Sequence, residues 1–371
     1  MALAVLIPTV ALAHASLVAA DPSPGAVVAV APDEIMLTFS EPVTPAGAGI
    51  TVVAPSGRPA TSAAAAASGS RMRAPFRPDG EGTYLVRWQV IAADTHPSRG
   101  QFTFSIGRAS APPAGESLDV GAVSPAGLLM QAIARWLHFL GLALAVGVIA
   151  YRVLVRWDGD PRRLDKLVTA GIVLLVVAEP VGLAAQALSL GVVAGDLLTS
   201  SFGRVLGLRL GGALLIWAAA GAVRQAGRGQ AALLGLGGAL AFVDGAAAHR
   251  VTGLPDVAAF ALSAVHEAAM AVWVGGLAAV LVTRAGGARF AKVALSSLGI
   301  LVVSGAVMAL AHLRSPADLI FSAYGGVLAI KVVAVAGAVA IAAFGVRRLE
   351  SAALAAVLLL AGLLVSLPPP R

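Results

Sequence analysis

Two hydrophobic periods divide the chain. Between about residues 14 and 107, apolar and polar positions alternate over short runs: Ile35–Phe39, Ile50–Ala54, Thr83–Ile91 and Gln101–Ile106. Pro, Gly and Asp punctuate them. A period of two sends successive side chains to opposite faces of a strand. The run Thr83-Tyr84-Leu85-Val86-Arg87-Trp88-Gln89-Val90 has the aromatic and β-branched bias of a half-buried strand. Several strands in so short a segment, with no convincing helix, predict a small all-β sandwich or Greek-key barrel.

Beyond Pro125 the alternation gives way to continuous apolar stretches, roughly 127–151, 167–190, 205–223, 231–248, 257–282, 290–312, 325–344 and 351–367. Each is long enough to cross a hydrocarbon core as a helix, the fourth and eighth being the weakest. The pattern predicts an all-α polytopic membrane domain of about eight transmembrane helices. Ala109–Pro125, rich in Ala, Pro, Ser and Gly, reads as a linker. At the other end, the run from Met1 closes on Ala11-Leu12-Ala13, a small-x-small cleavage pattern. The expected organisation is a signal peptide (1–13), a β domain (14–107), a linker (108–126) and a membrane domain (127–367). Cleavage after Ala13 would leave His14 as the first residue.

Composition agrees with this division. Of 371 residues, 58% are hydrophobic and 12% charged, which excludes a single soluble domain. Cysteine is absent, which excludes disulfides, thiolate metal sites, iron–sulfur clusters and thiol catalysis. The net charge of +7 would suit nucleic acid, but its placement says otherwise. If the β domain is exported, the cytoplasmic loops hold Arg152, Arg156, Arg162, Arg163 and Lys166, then Arg224 and Arg228, then Arg284, Arg289 and Lys292, then Arg347 and Arg348. The opposite side has Arg204, Arg250, Arg314 and Arg371. This is the positive-inside asymmetry, and the surplus is a topology signal. Acidic and basic residues nearly balance in the β domain, so no nucleic-acid partner is expected.

The strongest local chemical signal is Ile91-Ala92-Ala93-Asp94-Thr95-His96-Pro97, between two strands. On an extended backbone Asp94 and His96 would project to one face. A bare D-x-H is more often an Asx turn with a surface histidine. His14 shifts the reading: an N-terminal histidine offers an α-amino and a ring nitrogen as a chelating pair. With Asp94 and His96 the set becomes three nitrogens and one oxygen, a donor set that favours Cu(II).

These residues carry a resemblance. His14-Ala15-Ser16-Leu17, Asp21-Pro22-Ser23-Pro24-Gly25, Leu37-Thr38-Phe39-Ser40-Glu41-Pro42-Val43 and Ala93-Asp94-Thr95-His96-Pro97, followed by Gly100-Gln101-Phe102-Thr103-Phe104, together resemble the periplasmic copper-binding CopC family. The resemblance implies a cupredoxin-like barrel holding Cu(II) through His14, Asp94 and His96. Some members add a methionine-rich Cu(I) segment. Here only Met36 and Met72 are present, both expected in the core. The helical half resembles CopD, often fused to CopC, through Arg135-Trp136-Leu137-His138-Phe139-Leu140-Gly141, His266-Glu267, Trp273-Val274-Gly275-Gly276-Leu277, Tyr324-Gly325-Gly326-Val327-Leu328, Lys331 and Glu350. Arg347-Arg348-Leu349-Glu350 stands where the family has a longer loop, and its asparagine–arginine pair is missing.

Ionisable groups inside apolar spans are costly and face cavities or partners. In the helical half they are Arg135, His138, Glu179, Arg209, Asp244, His249, His266, Glu267, His312 and Lys331. Met270 follows His266 by four residues and Met308 precedes His312 by four, so each pair shares a helix face. Thioether plus imidazole suits Cu(I). The candidate copper path is therefore His138, His249, His266, Met270, Met308 and His312, with Glu179, Asp244 and Glu267 as a proton or cation relay. The competing readings are methionine as packing, His138 as interhelical glue, Glu179 bonded to Arg135 or Arg209, and Asp244 paired with Arg209 or Arg250.

The expected function is copper homeostasis at a bacterial inner membrane. The β domain and C-terminus would lie on the periplasmic side, with copper ions, the bilayer and other periplasmic copper-handling proteins as partners. Copper would be captured as Cu(II) and passed to or across the membrane, import being the expected direction. No nucleotide, flavin or phosphorylation motif is visible, and no enzymatic activity is expected. An oxygenase-like histidine brace is disfavoured because Asp94 fills the position oxygen needs. A haem-binding electron carrier using two of the helix histidines, and copper storage or sensing without flux, remain as alternatives.

Overall fold

The computed structural model describes residues 15–113, 125–157, 159–226, 229–248, 251, 253–285, 287–343 and 347–367. These divide into two compact units: one lies within 12–127 and 186–204, the other within 128–185 and 205–371. The expected signal peptide (1–13), His14 and His249 lie outside the described residues.

The first unit is a β-sandwich of eight strands: β1 (Leu17–Asp21), β2 (Val27–Val28), β3 (Glu34–Phe39), β4 (Val43–Val53), β5 (Ala66–Ser68), β6 (Arg71–Pro75), β7 (Gly82–Ala92) and β8 (Pro97–Ile106). One sheet has the order β1-β3-β6-β5 and the other β2-β8-β7-β4. All pairs are antiparallel except β2 with β8. Alternation builds the core directly. Ile35, Leu37 and Phe39 from β3 meet Val86, Trp88 and Val90 from β7, with Ile50, Val52, Met72 and Phe104 filling between them. Phe39 meets Trp88 edge-on at 5.2 Å, and Tyr84 stacks on Phe104 at 5.4 Å. Each such ring contributes about 1.5–3 kcal/mol of apolar burial. Trp88 lies opposite Gly100 in the β7–β8 register, and a Cβ at Gly100 would stand 2.5 Å from the indole. Glycine there lets the ring lie flat on its neighbour strand.

Met72 is fully buried as expected, but Met36 is not a core residue. Ile35, Leu37 and Phe39 take the inward positions of β3, and a period of two turns Met36 to the outer face.

The second unit is helical, and residues 186–204, which belong to the first unit, interrupt it. α1 (Pro125–Leu142) runs through a π-helical turn, Ala143–Gly147, into α2 (Val148–Val155). Then follow α3 (Pro161–Leu190), α4 (Ala194–Leu197), α5 (Ser201–Ala226), α6 (Gln230–Ala246), α7 (Asp256–Thr283), α8 (Gly287–His312), α9 (Asp318–Phe321), α10 (Ala323–Ala343) and α11 (Arg347–Ser366). Each of the eight expected stretches is helical. Among the described residues, six helices are long and apolar enough to span a membrane, and two apolar helices, Gln230–Ala246 and Ser351–Ser366, are shorter. At 1.5 Å per residue, α6 is about 26 Å long, somewhat short of a ~30 Å hydrocarbon core. The π turn sits where α1 and α7 touch backbone to backbone. A Cβ on Gly147 would stand 1.8 Å from the Ala271 carbonyl oxygen, and one on Gly275 2.0 Å from that of Ala143.

Candidate metal centres

In the β unit, Asp94, Thr95 and His96 form the tight link between β7 and β8, and all three are buried. The link is a turn, so the extended backbone expected for Asp94 and His96 is corrected: Thr95 takes φ 70°, in the left-handed region. The turn closes with Thr95 N–H donating to Ala92 O at 3.0 Å and Ala92 N–H donating to His96 O at 2.9 Å. Asp94 Oδ1 accepts from His96 N–H at 3.1 Å, an Asx-type bond. The Asx motif is real, but the histidine beside it is not on the surface. His96 Nδ1 lies 3.3 Å from Asp94 Oδ2. Two ligands held at about 2.0–2.2 Å from one ion stand roughly 3 Å apart, so this pair is spaced as neighbouring donors.

Two features around this turn were not legible in the sequence. Gln186 Nε2 donates to Thr95 O at 3.3 Å, and Ser201 Oγ to Ala92 O at 2.8 Å, so segment 186–204 holds the turn from outside the sandwich. Ala15 is fully buried in the sandwich core, and its carbonyl accepts from Ser98 Oγ at 2.9 Å. The N-terminal end of the described chain is thereby fixed two residues from His96.

The helical unit draws together five of the ionisable residues singled out in the sequence. His138 on α1 has Nδ1 3.2 Å from Glu179 Oε1 on α3 and Nε2 2.9 Å from Asp244 Oδ2 on α6. Arg209 Nε on α5 donates to Asp244 Oδ1 at 2.5 Å. Glu267 on α7 completes the group: ligand atoms of His138, Asp244 and Glu267 all lie within 4.8 Å of one another. His138, Glu179, Asp244 and Glu267 are buried. Five helices contribute one polar residue each. Glu179 meets His138 rather than the arginine of the competing reading, while Asp244 takes Arg209, one of its two alternative partners.

Residues 17–107 match the family described as CopC domain, and residues 285–358 the family described as Copper resistance protein D. Copper resistance protein C of Xanthomonas campestris pv. juglandis is 37% identical over 105 residues, covering 26% of this chain and 82% of that protein. The chain belongs to the CopC family. Copper resistance protein C of Escherichia coli is 36% identical over 106 residues, covering 26% of this chain and 83% of its own length. The solved CopC of Methylosinus trichosporium OB3b is 25% identical over 28% of this chain and 98% of its own, with a TM-score of 0.24. A CopC domain and a CopD segment are thus joined in one chain, a multi-pass membrane protein with a copper-resistance role.

The CopD match covers α8 and α10 and enters α11. On α8, Ser304, Met308 and His312 fall at intervals of four and share a face. Across from them on α7, Ser263 Oγ lies 3.8 Å from Met308 Sδ, and His266 Nδ1 lies 2.8 Å from Ser304 Oγ. His312 Nδ1 lies 3.1 Å from Tyr324 Oη on α10. His266 and Met308 therefore line one α7–α8 seam, while His312, at the end of α8, meets Tyr324 on α10. Met270 instead packs among Trp136, Phe139, Trp273 and Leu301, an apolar setting.

Proposed function

We propose that this CopC/CopD fusion captures Cu(II) in its β unit and passes copper to, or inward across, a bacterial inner membrane, with the β unit and C-terminus on the periplasmic side. The Cu(II) ligands are Asp94, His96 and His14, the last as the N-terminal residue of the mature chain. One observation carries the reading: Asp94 and His96 are buried together, and Ala15 is anchored through its carbonyl to Ser98, two positions along the chain from His96. Position 14 is one Cα–Cα step of about 3.8 Å from the anchored Ala15, which supports its inclusion in the ligand set. Copper is cargo here. The β unit supplies nitrogen and oxygen donors, while the α7–α8 seam supplies the Met308 thioether and the His266 imidazole, a softer set suited to Cu(I).

The topology has support from two directions. The basic residues concentrate in alternate loops, and Ser201 at the start of α5 hydrogen-bonds to the β sandwich, which favours the same side of the membrane for both. The test is cellular copper in a deletion strain complemented with wild-type or His96→Ala protein. Import predicts less accumulated copper at low external concentration in the deletion and in the His96→Ala strain. Unchanged accumulation with greater copper sensitivity would establish sequestration instead.

A further inference from the structure

The polar group shared by α1, α3, α5, α6 and α7 has the build of a metal centre of its own. We propose that His138, Asp244 and Glu267 bind a borderline divalent cation within the helical unit, with Glu179 and Arg209 as the outer groups that orient them. The site shares no ligand with the softer α7–α8 seam and does not depend on transfer from the β unit.

Three observations carry the assignment. First, the donors converge from three helices: a ring nitrogen and two carboxylates have ligand atoms within 4.8 Å of each other, and His138 Nε2 to Asp244 Oδ2 is 2.9 Å. Second, each of two donors has a fixed outer partner. Glu179 Oε1 lies 3.2 Å from His138 Nδ1, and Arg209 Nε engages Asp244 Oδ1, so His138 Nε2 and Asp244 Oδ2 are the atoms turned toward one another. A carboxylate on the far ring nitrogen is the arrangement that fixes tautomer and aim in metal-binding histidines. His138 Nε2 and Asp244 Oδ2 stand at hydrogen-bond distance, and a cation taking the place of the shared proton would bind both atoms. Third, Glu267 Oε1 is buried and makes no hydrogen bond among the described residues, although its side chain reaches the same point. Leaving a buried carboxylate oxygen unpaired costs free energy, and a metal bond recovers it.

The chemistry of the set selects the ion. One neutral imidazole and two carboxylates bring two negative charges, which a divalent cation neutralises, and no sulfur is present. Nitrogen and oxygen donors of this kind suit Cu(II) or Zn(II) better than Cu(I).

The test uses the full-length protein in detergent micelles, with the β-unit ligands removed by Asp94→Asn and His96→Ala. Cu(II) is added, and the bound metal is counted after dialysis. One retained Cu(II) per chain is expected, with an electron paramagnetic resonance spectrum showing coupling to a single imidazole nitrogen. In that background, Glu267→Gln, isosteric with the native residue, should weaken binding at least roughly tenfold, and Glu179→Gln by roughly 10- to 100-fold through its effect on His138. Failure to retain metal in a protein whose helical content and elution are native would overturn the proposal. Retention unchanged by Glu267→Gln, or a spectrum with two or more imidazoles, would do the same. Wild-type protein measured alongside reports the β-unit ion separately, so failure there contradicts the Cu(II) capture reading and leaves this one standing.

Discussion

Thr95 occupies the left-handed region between the two buried candidate ligands, and substitution there has a predictable sign. A β-branched residue at φ 70° is an outlier, and an L-residue in this conformation costs about 1–2 kcal/mol. Thr95→Gly removes that cost, loses about 0.5–1 kcal/mol to added freedom in the unfolded chain, and gives up burial of the γ-methyl worth about 0.8 kcal/mol. These nearly cancel, so Thr95→Gly should match the wild type within about 1 kcal/mol. Thr95→Ala keeps the Cβ and its strain but loses the methyl burial, and should fall about 1 kcal/mol below Thr95→Gly. For a domain of this size that is a gap of roughly 4–8 °C in Tm. Thermal melts of the full-length protein in detergent and chelator measure it. Alanine as stable as glycine is the behaviour of an ordinary position with negative φ, and that result would refute a left-handed Thr95.

Two further predictions concern the separate units. Gly147→Ala should destabilise the helical unit by about 1–3 kcal/mol, because the new Cβ would meet the Ala271 carbonyl. Gly207→Ala on α5, with nothing within 4 Å, should be neutral or stabilising, and thermal unfolding in detergent distinguishes the two. In the β unit, a hydrogen bond from Ser56 and the adjacent Arg58 guanidinium hold the exposed Asp79 carboxyl below its ordinary range. A depressed carboxyl contributes stability above its unfolded value, near 3.9, and loses it as pH falls through the folded value. Asp79→Asn should therefore flatten the acid limb of a stability–pH profile below about pH 4 while leaving its shape near neutrality unchanged.

The sequence carried the strands well because alternation is a local property, and the same rule explains the error at Met36. Period two assigns a residue to a face, and only the run Ile35, Leu37, Phe39 says which face is inward. The Asp94–His96 turn was visible as chemistry but not as shape, since threonine gives no warning of a left-handed conformation. Gln186 and Ser201 were invisible as supports of that turn, because their partners are backbone carbonyls distant in sequence. In the helical half, charged residues within apolar runs marked His138, Glu179, Asp244 and Glu267 at once. Their convergence from separate helices could not be read from any one helix's periodicity, and neither could the choice of His138 over an arginine as the partner of Glu179. Met270 shows the converse: its spacing from His266 suggested a ligand pair, and its surroundings are aromatic and aliphatic.

The central claim is that a mature N-terminal histidine closes a Cu(II) site with Asp94 and His96. Its most direct test is Cu(II) affinity of the β unit starting at His14, against the same protein carrying one additional N-terminal residue. The account predicts at least a roughly tenfold loss on extension, with one nitrogen fewer in the paramagnetic resonance spectrum. Equal affinity and an unchanged spectrum in the extended protein would contradict it.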